Sequence, residues 1–207
     1  MGHQNHSTLR LTLTAVVLLA ELAHLAWQHF NGGVVSHHIL DRADLPAISN
    51  WWGAVLLPAL TWFLTGRIGR RIASHAGHAG GTTRVPGGIV AGFVAALAFG
   101  VVLSIAFTFD YASVSSTMFF GVLVLAMFLP LYRAECVLGF VLGMAFTFGA
   151  VLPTVIAALI AAIAAFFALC VHPALGWIVT RSKRAGAIEP APRVSSRGGQ
   201  TRANGGD

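Results

Sequence analysis

The chain has 207 residues, of which 56% are hydrophobic and only 10% charged, with a mean hydropathy of +0.76. A soluble domain carries about a quarter charged residues, so a water-exposed globule is excluded and the chain reads as an all-α, polytopic membrane helix bundle. The net charge of +6 does not indicate nucleic acid, because the basic residues flank apolar segments, as topology signals and headgroup contacts do.

A spanning helix needs about 20 mostly apolar residues, and six stretches qualify: 11–30, 46–65, 89–109, 113–132, 135–152 and 153–179. The first is an uncleaved helix and not a signal peptide, because Glu21 and His24 stand where a cleavage site needs small residues. The second is flanked by Trp51, Trp52 and Trp62, which suit the bilayer interfaces. Pro58 and Pro130 are expected to bend the second and fourth. The fifth and sixth are separated by little more than Pro153, so one long kinked helix is the alternative. Residues 1–180 form the membrane domain. The tail 181–207, rich in Arg, Ser, Gly and Pro, reads as a disordered basic cytoplasmic extension. The stretch 73–88, rich in Gly, reads as a flexible linker.

Charge placement sets an orientation. Arg10, Arg67, Arg70, Arg71, Arg84, Arg133 and the basic tail fall on one side of the six spans, and only Arg42 falls on the other. The positive-inside rule then puts both termini in the cytoplasm, with the bundle in the plasma (inner) membrane. Cys136 and Cys170 lie toward the inner face, where a structural disulfide is not expected.

The first segment carries the candidate site. At about 100° per residue, Arg10, Thr14, Glu21, His24 and Gln28 share one face, opposite Val16, Leu19, Ala23 and Trp27. Arg10 to Glu21 covers roughly 16 Å of helix, which brings Glu21 near the bilayer midplane. An acid at that depth is costly and marks a functional site by default. The bland alternative is a polar tie between helices.

The outer loop adds histidines and acids: His29, His37, His38, Asp41 and Asp44. Ser36 suits the N-cap of a short helix ending before Pro46. His29, His37, His38 and Asp41 are then candidate ligands for a divalent metal. A polar interfacial loop without metal explains the same residues equally well. Glu21-x-x-His24 has half the spacing of a di-iron carboxylate motif, but no second copy follows. Asp44, Asn50 and Asp110 are secondary candidates. Glu135 and Arg133 read as a local ion pair marking the inner interface.

Three functions fit these features. The first is ion- or proton-coupled transport of a small solute, carried by Glu21, His24 and Gln28. The second is a metal-dependent membrane enzyme acting on a lipid-like substrate at the outer face, with Glu21 or Asp44 as acid or base. The third is a non-catalytic membrane subunit or scaffold. The expected partners are the lipid bilayer and a small solute, ion or lipid.

Overall fold

The computed structural model describes residues 2–34, 36–38, 47–79, 85–174 and 176–177. Among them the chain is helical except for one minimal ladder. Helix α1 spans Gly2–Phe30. Strands β1 (Ser36–His38) and β2 (Ala47–Ser49) pair antiparallel, with Ser36 opposite Ser49. A single 3-10 turn, Asn50–Trp52, leads into α2, Gly53–Ala79. Then follow α3 (Gly87–Thr108), α4 (Ala112–Phe128), α5 (Ala134–Phe148) and α6 (Val151–Phe166). A π-helical turn, Phe167–Val171, extends α6.

Three of these helices are long and apolar enough to cross a membrane: Ser7–Phe30, Gly87–Thr108 and Val151–Ala174. The helices Ala112–Phe128 and Ala134–Phe148 are apolar but shorter. Large apolar side chains such as Leu19, Val55, Phe120, Phe128 and Leu169 stand exposed on the outside of the bundle. Water would not tolerate so large an apolar surface, and a bilayer would.

Several boundaries differ from the sequence expectation. Helix α1 begins nine residues before position 11. Helix α2 runs on through Ala73–Ala79, part of the stretch read as a linker. Pro130 ends α4 and does not bend it: Leu129, the residue before it, is extended at φ −101°, ψ 144°, as a residue preceding proline prefers. Pro58 does lie inside α2. Of the stretch 135–179, the described residues form two separate helices and not one kinked helix. Gly149 breaks them at φ +69°, a left-handed conformation in which glycine lacks the penalty of a side chain. Pro153 then sits in the first turn of α6, where no intrahelical donor is lost.

The Ser36 N-cap is also corrected. Ser36–His38 is extended and laddered to Ala47–Ser49. Gly32 and Gly33, both at positive φ, turn the chain out of α1, and the β-branched Val34 and Ile48 favour extended backbone.

The helices alternate in direction and pack around a core of Leu103, Val122, Phe140, Val141, Met144, Ala157 and Ile160. Helices α3 and α5 form the most intimate pair. A Cβ at Gly143 would stand 2.5 Å from the carbonyl oxygen of Leu97, and one at Gly100 2.8 Å from that of Phe140. Small residues let two backbones touch in this way, which is how helices gain dispersion energy where lipid competes for every apolar side chain. Helix α1 lies outside this core and packs chiefly on α2.

Candidate functional site

The polar face of α1 packs inward. Glu21 and Gln28 are 6% and 7% exposed, and Leu25 between them is 1% exposed. Val16, Leu19 and Trp27, on the opposite face, are all more than half exposed. The amphipathic reading of the first segment therefore holds, with the polar stripe buried against protein.

Glu21 lies beside the first turn of α2, in contact with Gly53. Any larger residue at position 53 would occupy the place of its carboxylate. The start of a helix carries partial positive charge from its unpaired N–H groups, which favours an acid there. One turn on, Nδ1 of His24 is 3.9 Å from Oε2 of Glu21. The imidazole stacks on Phe146 of α5, with ring centroids 4.5 Å apart and planes inclined by 23°.

An amide chain continues from the imidazole. Asn50 Nδ2 donates to Gln28 Oε1 at 3.3 Å, and Gln28 Nε2 donates to Nε2 of His24 at 2.9 Å. An imidazole that accepts at Nε2 carries its proton on Nδ1, the nitrogen facing Glu21. The sequence Asn50, Gln28, His24, Glu21 is thus directional, and the amides set the tautomer. Asn50 is itself 6% exposed and is braced by contact with Gly149 at the α5–α6 break. Three elements therefore meet at one end of the bundle: the last half of α1, the entry to α2 and the exit of α5.

The stripe continues toward the other end of α1. Arg10 donates from Nε to the carbonyl of Trp62 at 2.7 Å, and its guanidinium lies 3.8 Å above the Trp62 ring. Between Arg10 and Glu21 stand two buried hydroxyls, Thr14 and Thr61, that have no hydrogen-bond partner among the described residues. Thr14 lies seven residues before Glu21 and Thr61 eight after Gly53. On antiparallel helices, with about 1.5 Å of rise per residue, both fall at the same level of the α1–α2 seam.

The remaining candidates separate. His29 is exposed, with its ring edge-on to Phe30 at 5.5 Å. The side chains of His37 and His38, and Asp41 and Asp44 entirely, lie outside the described residues. Among the described residues no three His, Cys, Asp or Glu side chains gather to hold a metal. Asp110 is exposed at φ +56°, in the turn between α3 and α4. That turn explains it, since Asp tolerates the left-handed region better than most residues.

Sequence reasoning missed the partner of Glu135. This carboxylate is 1% exposed, and it accepts at 2.6 Å from Nη1 of Arg71 on α2, 64 residues away, and not from the neighbouring Arg133. The signal was present as a lone acid opening a segment with no other charge, facing a run of three arginines read only as topology markers. Phe146 and Gly149 were missed as well, because a stacking face and a backbone notch leave no polar trace in sequence. Comparison of this chain with family models, with curated proteins and with solved structures finds no match.

Proposed function

We propose that this chain is a six-span membrane protein, with both termini in the cytoplasm of a plasma (inner) membrane, that moves a proton or small cation coupled to a solute through the α1–α2 seam. The observation carrying this reading is the ordered run Asn50–Gln28–His24–Glu21, buried where three helices meet. Glu21 and His24 are its titratable members. Amides relay protons poorly, so Gln28 and Asn50 act as positioning residues that hold the imidazole with Nδ1 toward the carboxyl. Thr14 and Thr61 place two further buried hydroxyls along the same seam.

The arginine distribution supports the orientation. Arg10, Arg67, Arg70, Arg71 and Arg133 fall toward the end of the bundle away from Glu21 and His24. The end carrying Glu21 and His24 then faces outward.

The test is flux in proteoliposomes. Purified protein is reconstituted with an internal pH dye, and a potassium diffusion potential is imposed. Wild type passes protons faster than protein-free vesicles do. Glu21→Gln, which keeps size and hydrogen bonding but loses the charge, lowers that flux at least about tenfold, as loss of an essential proton-transfer group does. Unchanged flux in Glu21→Gln, or none in wild type, overturns the reading.

A further inference from the structure

A cavity of about 340 Å³ lies between α3, α4, α5 and α6, at the end of the bundle away from Glu21. Its walls are apolar, formed by Phe99, Val122, Leu125, Phe140 and Ile160 among others. Helix α3 packs closely on α5 but only lightly on α4. Leu125 and Leu129, on the α4 side of the cavity, are each 46% exposed, so the space opens sideways between α3 and α4. The polar groups at its far end are Arg133, Glu135 and Cys136.

Charge decides what this end recognises. The Glu135 carboxylate is already neutralised by Arg71. Arg133 caps the start of α5 without a side-chain hydrogen bond, and it has no carboxylate partner among the described residues. This end therefore carries one guanidinium without a carboxylate partner among the described residues, beside an apolar slot of ligand size. A guanidinium presents paired donors suited to phosphate oxygens.

We propose that this cavity is a binding site for an acidic phospholipid of the adjoining leaflet, with one acyl chain in the slot and the head phosphate on Arg133. The apolar walls exclude a free anion, and the guanidinium selects against zwitterionic lipid. The site is separate from the α1–α2 seam, so it stands whether or not that seam moves ions.

Cys136 lines the slot and reports on it. In the full-length protein carrying Cys170→Ser, alkylation of Cys136 by a maleimide is followed in mild detergent with added dioleoyl-phosphatidylglycerol, dioleoyl-phosphatidylcholine or inorganic phosphate. Phosphatidylglycerol slows labelling at a concentration about fivefold lower than phosphatidylcholine, the factor that one basic residue contributes near anionic lipid. Arg133→Gln abolishes the difference and Arg133→Lys retains most of it, which also shows that position 133 tolerates change. Equal protection by both lipids, no protection by either, protection by phosphate alone, or persistence of the preference in Arg133→Gln overturns the proposal.

Discussion

Replacing Gly143 by alanine adds one methyl group at the tightest seam of the bundle, and the outcome turns on two opposed terms. Alanine favours a helix over glycine by about 1 kcal/mol. Against this, the new Cβ would stand 2.5 Å from the Leu97 carbonyl oxygen, 3.0 Å from the Val101 nitrogen and 3.1 Å from the Gly100 Cα. All three are backbone atoms, so no rotamer relieves the overlap and α3 must retreat from α5 by roughly 0.5–1 Å. A gap of that size forfeits about a quarter to a half of each dispersion contact along the seam. It also strains the hydrogen bond from Ser104 Oγ to the Gly143 carbonyl, 3.3 Å long. Overpacking of this kind costs about 1–3 kcal/mol. After subtraction of the propensity gain, a net loss of up to about 2 kcal/mol remains, which lowers the melting temperature by up to roughly 8 °C for a chain of this length. Gly121, on α4, is the control, since a Cβ there meets nothing within 4 Å. Gly121→Ala is expected to gain up to about 1 kcal/mol by propensity alone. Both are measured by thermal unfolding in the same detergent. If Gly143→Ala melts at or above wild type while Gly121→Ala behaves as stated, the close approach of α3 and α5 is wrong.

Two further substitutions probe charge and backbone. Arg71→Met leaves the Glu135 carboxylate buried without its cation and destabilises by about 2–4 kcal/mol, somewhat less than a fully buried pair because Arg71 is one-third exposed. Adding Glu135→Leu recovers most of the loss, and denaturant titration of a double variant as weak as the single would refute the pairing. Asp110→Gly removes the left-handed strain at φ +56° and gains up to about 1 kcal/mol, whereas Asp110→Val loses about 1–2 kcal/mol. Equal melting of these two variants would rule out a turn role for Asp110.

The sequence carried the helices and the inward stripe, because both follow from apolar runs and a 100° period. It was weaker wherever the outcome depended on which elements meet. Glu21, His24 and Gln28 lie on one helix, so their grouping was visible from spacing. Asn50 belonged to a different segment and was picked only as a nearby polar residue, and no local rule joins it to Gln28 across 22 positions. Glu135 was assigned to Arg133 on proximity in sequence, whereas the antiparallel packing of α2 on α5 delivers Arg71. Ser36 was assigned to a helix cap because a serine suits that position in isolation. The ladder wins because β2 offers backbone partners that a lone turn lacks. Gly149 illustrates the opposite case: a glycine before a proline-containing helix marks a break, and Pro153 only fits the first turn that follows it.

The peripheral position of α1 bears on how the protein enters its membrane. On its own this helix would present Glu21, His24 and Gln28 to hydrocarbon, and an acid at the centre of a span costs about 2.5–3.5 kcal/mol on insertion scales. The leucines and valines around it repay part of that cost, but the groups that take up its polar side chains, Gly53 and Asn50, arrive only with the next segment. The hairpin of α1 and α2 is therefore the smallest piece in which Glu21 and Gln28 meet the groups they contact in the bundle. The polar stripe thus makes the stability of α1 in an apolar surrounding depend on the arrival of α2, a demand on the order of assembly as well as a feature of the finished bundle.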